Sequence, residues 1–172
     1  FLVSADFNGK PDVFVVQVGD TISIKNTPAM GLKATETATL KFSNTPALRL
    51  GATDFDYTAF LDLGNLMWCA MAVGTCEAVK AYCIKYANER TAFGEPISHR
   101  QSVAFMIADM AIEIDAMQML ILNAASLAES GQDFHREAYL ARLLCAEKSM
   151  QIATNGVQIL GGHGFTKEHP VE

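Results

Sequence analysis

The feature of this sequence that most constrains its fold is an apolar seam that spans residues 103 to 128. Along it, apolar side chains recur at alternating steps of four and three, at Val103, Ile107, Met110, Ile114, Met117, Ile121, Ala124 and Ala128. This spacing places them on one face of an α-helix, and such a seam is typical of helices that pack in a bundle. The seam therefore predicts a long helix from about residue 98 to residue 129.

Two further helices are predicted, one on each side of this seam. Residues from about 56 to about 87 show helical periodicity, with a predicted buried stripe of Leu66, Ala70, Val73, Ala81 and Ile84. A third helix is predicted from residue 133 or 134 to Leu160, where Gly161 and Gly162 provide a glycine C-cap. Three long helices with short connections pack antiparallel.

Residues 1 to about 50 follow a strand pattern instead. Apolar runs rich in β-branched and aromatic residues occur at 1–3 and 13–16, and residues 35–42 fit another strand. Asn8-Gly9 and Gly19-Asp20 are turn signals. The predicted fold class is therefore α+β, with a small antiparallel β-domain fragment in residues 1–52 and an antiparallel helical bundle in residues 53–172.

Charge and hydropathy limit the partners that this chain can have. A net charge of −6 and a sequence pI near 5.2 exclude nucleic acid and anionic membrane surfaces as bulk partners. The longest apolar run, residues 66–73, is too short to span a bilayer, and no leader pattern opens the chain. These features predict a soluble intracellular protein without a membrane span.

The cysteines are predicted to be buried thiols and not metal ligands. Cys69, Cys76 and Cys83 repeat every seven residues, which places them about 10 Å apart along a helix at a rise of about 1.5 Å per residue. Ligands of one tetrahedral zinc lie about 2.3 Å from the metal, so these three cannot share one. Cys145 is predicted to be buried as well, and no metal site is predicted.

Two segments combine turn residues with groups able to bind a ligand. Residues 89–97 hold Arg90, a planar and permanent cation, and Phe93, an apolar ring; Gln101 follows with an amide that both donates and accepts. The alternative is a plain turn in which Gly94 and Pro96 separate two helices, Arg90 is solvated and Phe93 packs on the core.

The second segment is Gln158 to Phe165, at the predicted end of the third helix. Gly161, Gly162 and Gly164 remove side chains where a backbone must approach a ligand closely. A stretch with three glycines is also an ordinary helix terminator, so that alternative stays open.

Taken together, these two segments resemble the acyl-CoA dehydrogenase family. The Arg-x-x-Phe-Gly corner and the Gln-Ile-x-Gly-Gly-x-Gly-Phe segment stand in that family's order and spacing. Further matches occur at residues 108–110, at Lys148, at residues 166–172 and, more loosely, from 29–32 to 50–51. The resemblance therefore extends over nearly the whole chain.

The resemblance implies that the chain binds FAD in sites shared between subunits. In the family the Arg-x-x-Phe-Gly corner holds the pyrophosphate end of one flavin, and the glycine segment reaches the flavin of a neighbour. The residues implied to bind FAD are Arg90, Phe93, Gln101, Gln158, Gly161 and Gly162, with Gly94 in the corner. A homo-oligomer, a dimer of dimers, is implied as well, located in the cytoplasm or in the mitochondrial matrix of a eukaryote.

The resemblance also implies an acyl-CoA substrate, but it leaves the catalytic base outside the chain. Most of the family carries a glutamate shortly beyond the position of Glu172, and a minority carries it at the position of Gly64, which cannot act as a base. Asn65 stands where the family commonly has an arginine near the CoA moiety. Asp62 matches a family aspartate, with a helix cap as the alternative. Asp62 and Asn65 are thus the predicted substrate-binding residues.

No other residue is predicted to be the base. His99, His135 and His163 are isolated in the sequence from plausible carboxylate partners. By resemblance, the chain holds three of the four helices of the family's bundle and should be inactive alone.

The predicted function is α,β-desaturation of an acyl-CoA thioester with hydride transfer to FAD. Three alternatives remain: an oxidase, a subunit without a base that works beside a competent partner, and a non-enzymatic helical oligomerisation module. Either oxygen or an electron-transfer flavoprotein is left open as the electron acceptor.

Overall fold

The computed structural model describes residues 1–28, 35–50 and 55–171. They form two compact units, Phe1–Tyr57 and Thr58–Glu172. The predicted domain boundary between residues 52 and 53 lies outside the described residues, as do the loosely matching residues 29–32 and Gly51.

The first unit consists of short antiparallel strands. Their bounds are β1 (Leu2–Phe7), β2 (Lys10–Val16), β3 (Ile22–Asn26), β4 (Ala38–Phe42) and β5 (Ala47–Arg49). One sheet has the order β1-β2-β5, and β3 pairs with β4. The three predicted strands are confirmed as β1, β2 and β4, whereas β3 and β5 were not predicted.

The β1–β2 turn and a buried ion pair fix the first sheet. Asn8 and Gly9 both have positive φ, 55° and 81°, which a two-residue hairpin turn of the I′ type requires. Asp12 on β2 is buried, and its Oδ2 lies 2.5 Å from Arg49 Nε on β5. The Arg49 guanidinium also lies 4.5 Å from the centre of the Phe7 ring. Paired in this way, the buried carboxylate adds a specific contact between the two strands.

The second unit is a three-helix bundle with a small hairpin between its first two helices. Its elements are α1 (Tyr57–Glu89), β6 (Thr91–Ala92), β7 (Glu95–Pro96), a 3₁₀ turn (Ile97–His99), α2 (Gln101–Glu129), α3 (His135–Leu160) and a 3₁₀ segment (Gly161–Phe165). The three predicted helices are confirmed within about three residues at each end. The α+β fold class is confirmed as well.

The bundle core follows one heptad-like stripe on α1. Its buried members are Asp62, Leu66, Cys69, Val73, Cys76, Val79, Cys83 and Ala87. The predicted stripe was wrong at Ala70, Ala81 and Ile84, which are exposed. The prediction of buried thiols is confirmed, because all four cysteines are free and buried. The α2 seam is confirmed too, since each of its eight members is buried or half-buried.

By length and composition, α1 is also apolar enough to cross a membrane. No membrane span was predicted, because the longest uninterrupted apolar run, residues 66–73, is too short to cross a bilayer. Core helices pass the same test, and the buried stripe of α1 packs with residues of α2 and α3 in one cluster. In this fold α1 is therefore a helix of the bundle.

Gly156 allows a close approach between α3 and α1. A Cβ atom at this position would lie 2.6 Å from Val79 Cγ1 and 3.6 Å from Cys83 Sγ. A separation of 2.6 Å is far below van der Waals contact, and the β-branched Val79 has little rotamer freedom with which to move away. Two helices therefore meet at a position where only glycine fits.

We expect Gly156→Ala in the intact protein to lower the free energy of unfolding by about 1–3 kcal/mol, the usual range for an overpacked core. Gly74→Ala is the matched control, because a Cβ there meets nothing within 4 Å and alanine favours a helix. Thermal or urea unfolding of the two variants checks this, and equal stability of both would contradict the close packing.

Candidate functional site

The corner around Arg90 is a tight hairpin that follows α1 directly. The Arg90 N–H donates to the Tyr86 carbonyl at 2.8 Å as α1 ends, and the Ile97 N–H donates to the Arg90 carbonyl at 2.9 Å across β6 and β7. The Arg90 side chain is exposed. None of the described residues forms a hydrogen bond or an ion pair with its guanidinium. A permanent cation is therefore available to an anion from outside the chain.

Phe93 occupies the tip of this hairpin in a strained conformation. Phe93 and Gly94 have φ values of 56° and 88°, so both central residues of the turn are left-handed. This conformation costs roughly 1–2 kcal/mol for a residue with a Cβ. The ring is 97% exposed, so the alternative in which Phe93 packs on the core is wrong. The turn presents an aromatic ring to whatever approaches the corner.

The carboxylate of Glu95 contacts two other basic side chains of the corner, Arg100 and His99. Glu95 Oε1 lies 3.0 Å from Arg100 Nη2, and Glu95 Oε2 lies 3.3 Å from His99 Nδ1. The Arg100 guanidinium also lies 5.6 Å from the centre of the Phe93 ring, at cation–π distance. The charge of Arg100 is thus partly neutralised by Glu95, whereas Arg90 has no such partner among the described residues.

The three glycines after α3 lie in different surroundings. Gly161 caps the helix with φ 58°, and its N–H points to the carbonyls of Gln158 and Val157, which confirms the predicted C-cap. A Cβ at Gly161 or Gly162 would meet nothing within 4 Å. At Gly164 it would lie 2.4 Å from the Val157 carbonyl oxygen. Open space therefore borders Gly161 and Gly162, whereas Gly164 is needed for packing against α3.

The fold brings the two segments to the same end of the bundle. Tyr86 lies one turn before Arg90, and its hydroxyl donates to the carbonyl of Leu160, the last residue of α3, at 3.4 Å. Gln101 begins α2 just after the hairpin, and Gln158 lies in the last turn of α3; both are exposed. The six residues predicted to bind a cofactor are therefore all exposed, and they surround the ends of three helices.

Asp62 lies at the other end of the bundle and is paired with a histidine. It is only 6% exposed, and its Oδ2 lies 2.7 Å from His135 Nδ1. The hydrogen bond to Asp62, together with its charge, raises the pKa of His135. This pairing was not predicted, because 73 residues separate His135 from Asp62 in the sequence. The substrate-binding role of Asp62 and Asn65 remains a prediction.

Protonated His135 is expected to stabilise the protein at low pH. Because its pKa is raised on folding, the stabilisation is fully present below the unfolded pKa of about 6.5 and is lost as the pH rises through the folded value. We expect His135→Gln to be less stable than the wild type at about pH 6, with a smaller difference at about pH 9.

Urea unfolding at several pH values checks this prediction. His99→Gln is the matched control, because its partner Glu95 is exposed and not buried, and exposed pairs contribute little. A stability difference for His135→Gln that stays constant with pH would contradict it.

Comparisons with known proteins agree on one family. Residues 56–172 match the model of the acyl-CoA dehydrogenase C-terminal domain. Over 112 residues the chain is 40% identical to caffeyl-CoA reductase-Etf complex subunit CarC of Acetobacterium woodii, covering 65% of this chain and 30% of CarC. Over 154 residues it is 31% identical to the mitochondrial short-chain specific acyl-CoA dehydrogenase of Mus musculus, covering 86% of this chain and 37% of that protein.

A solved structure covers both units of the chain. The three-dimensional structure of butyryl-CoA dehydrogenase from Megasphaera elsdenii matches with a TM-score of 0.86 at 28% identity, over 99% of this chain and 47% of that one. The chain thus spans 30% and 37% of the two curated relatives. It belongs to the acyl-CoA dehydrogenase family and carries the family's C-terminal helical domain in residues 56–172.

Proposed function

We propose that this chain is the flavin-binding and subunit-joining part of an FAD-dependent acyl-CoA dehydrogenase. The observation that carries this proposal is the hairpin, where Phe93 is strained and 97% exposed. Arg90, three residues earlier, is an exposed cation whose guanidinium has no partner among the described residues. The names of its relatives, among them a short-chain specific acyl-CoA dehydrogenase, support the same activity.

The groups present in the corner fit FAD. Its pyrophosphate needs several donors in a fixed arrangement, and the Arg90 guanidinium offers five N–H groups in a planar fork. The Phe93 ring offers an apolar face to an aromatic ring system. Gln101, at the start of α2, offers an amide that donates and accepts. An anion, a ring and polar edges are the parts that such a cofactor presents.

The glycine segment is proposed to contact the flavin of a neighbouring subunit. Gly161 and Gly162 are exposed and border open space, so a ligand can approach their backbone closely. Gln158 precedes them on the exposed side of α3. If each flavin is held by two subunits, the protein assembles as a homo-oligomer, and a dimer of dimers provides such shared sites.

FAD, when bound, supplies the redox chemistry by accepting a hydride from the β carbon of the acyl thioester. The residues of this chain hold and orient the reactants. The α proton requires a base, and Gly64 has no side chain to serve as one. We therefore propose that the base is a glutamate beyond Glu172, and that Asp62 and Asn65 lie near the substrate.

An electron-transfer flavoprotein is the proposed electron acceptor. The name of CarC describes a subunit of a caffeyl-CoA reductase-Etf complex, which supports this choice over oxygen. The proposed location is the cytoplasm, or the mitochondrial matrix in a eukaryote, and the mitochondrial name of the mouse relative supports the second. Flavin absorbance in the purified intact protein tests the proposal. Its absence after incubation with FAD would favour a helical oligomerisation module.

Arg90→Ala in the intact protein is expected to weaken FAD binding by about 1.5–3 kcal/mol, the range for a hydrogen bond to a charged group. Arg136→Ala is the matched control, because Arg136 is exposed but paired with Glu137 at 2.9 Å. Flavin retention after dialysis and titration of the apoprotein measure the change. Equal flavin affinity of the Arg90 variant and the wild type would contradict the assignment.

Two neighbouring glycines should separate flavin binding from folding. Gly162→Ala is expected to leave the unfolding temperature unchanged and to weaken FAD binding, because the new methyl group fills only the open side of the segment. Gly164→Ala is expected to lower stability by about 1–3 kcal/mol with or without flavin, because its methyl group would meet the Val157 carbonyl. Titration with FAD and thermal unfolding of both variants distinguish the two effects. A Gly162 variant with unchanged flavin affinity would contradict the proposed contact.

A further inference from the structure

Four aromatic and imidazole side chains form a hydrogen-bonded cluster beside the glycine segment. Tyr82 and Tyr86 come from α1, whereas His163 and His169 come from the segment after α3. The Tyr82 hydroxyl lies 2.7 Å from His169 Nδ1, and the Tyr86 hydroxyl lies 2.9 Å from His163 Nδ1. We refer to these four residues as the Tyr–His cluster. It ties the segment to α1 across 77 and 87 residues of sequence.

The rings of the cluster also pack against one another. The two imidazoles are stacked, with centroids 5.0 Å apart and planes inclined by 9°. The Tyr86 ring makes T-shaped contacts with both imidazole rings. Its centroid lies 5.9 Å from that of His163 and 5.8 Å from that of His169. Hydrogen bonds and ring contacts are directional, so together they fix the orientation of the segment as well as its distance from α1.

Apolar packing alone does not account for this cluster. His163 is exposed, and Tyr82, Tyr86 and His169 are only half-buried beside a cleft that Lys85 and Glu89 also line. A metal site is not an alternative, because no group of three His, Cys, Asp or Glu residues suited to a metal ion occurs in the described part of the chain. The hydrogen bonds of the cluster thus serve to hold the segment in place.

The cluster connects the two segments proposed to bind flavin. Tyr86 lies one turn before Arg90, whose N–H donates to the Tyr86 carbonyl. The hydroxyl of the same tyrosine bonds to His163 and to the carbonyl of Leu160, directly before Gly161. A displacement of the glycine segment relative to the Arg90 corner would break these bonds.

We propose that Tyr82, Tyr86, His163 and His169 are positioning residues that hold Gly161 and Gly162 in the orientation required for flavin contact. They act through the backbone of the segment and do not themselves touch the cofactor. This inference rests on the proposed function, because it assumes that the glycine segment contacts a flavin.

The test measures FAD affinity in the intact protein together with hydrogen exchange of the backbone amides at residues 161–166 in the flavin-free protein. Tyr86→Phe removes the hydrogen bonds to His163 and to the Leu160 carbonyl, and His163→Leu removes only the first of them. Each variant is expected to weaken FAD binding at least about fivefold. The double variant is expected to bind FAD no more weakly than Tyr86→Phe alone, because Tyr86→Phe already removes the bond to His163. Amide exchange in the segment should become faster in all three.

A conservative replacement and a control separate positioning from general stability. His163→Asn places an amide, which can donate or accept, near the position of Nδ1 and is expected to restore most of the flavin affinity lost in His163→Leu. Tyr139→Phe, at an exposed tyrosine of α3, should change neither the affinity nor the exchange. Unfolding temperatures of all variants should stay close to that of the wild type.

The outcomes distinguish this inference from the proposed function. A wild-type protein that binds no FAD would overturn the proposed function and, with it, the positioning role. A wild-type protein that binds FAD, with cluster variants that bind it equally well, would overturn the positioning role alone. Additive losses in the double variant, or no rescue by His163→Asn, would also overturn it.

Discussion

The bundle depends on the packing of one buried stripe of α1 against α2 and α3. Fully buried Met110, Ile114 and Met117 from α2 and Ile152 from α3 fill the space opposite this stripe. Three of the positions on α1 are cysteines, whose small side chains leave room for these larger ones. Burial raises the pKa of Cys83 to about 11, so that thiol stays uncharged in the core. The packing against this stripe thus brings the three helices together and determines which of their ends lie close to each other.

Apolar packing is not directional, and the polar groups at each end of the bundle supply the direction. At one end, buried Asp62 bonds to His135 and ties the start of α1 to the start of α3. At the other end, Tyr86 bonds to Leu160 and His163 and ties the end of α1 to the end of α3. A buried polar group left unpaired costs about 1–3 kcal/mol, so the bond of buried Asp62 opposes sliding of α1 past α3. The second pair lies beside the proposed flavin contacts, where the relative position of two segments matters most.

Local patterns were sufficient to predict much of the fold, and long-range contacts were not predictable. The α2 seam, the cap at Gly161 and the turn at Asn8 each depend on neighbours within one or two turns of chain. Strand β3 was missed because Ile22–Asn26 contains only two apolar residues and is defined by its pairing with β4. The predicted stripe of α1 was wrong at Ala70 and Ala81, because alanine fits buried and exposed positions alike, and also at Ile84, which is exposed next to buried Cys83. The partner of His135 depends on the completed fold.

At the candidate site, the residue types alone indicated groups able to bind a ligand, and the predicted role of each residue came from the family resemblance. The fold adds a physical reason to treat the two segments as contact surfaces. Phe93 and Phe165 are 97% and 79% exposed, and they are the most exposed large apolar side chains of the described residues. Each lies in one of the two segments. The backbone of a phenylalanine at positive φ is strained, and a ring that is almost fully exposed gains no free energy from burial within this chain. Asparagine or glycine would suit the tip of the hairpin better if the turn served only to join two helices. Within this chain the ring has the cation–π contact with Arg100, and under the proposed function a bound cofactor or a neighbouring subunit covers the ring and adds to the stabilisation that offsets this strain.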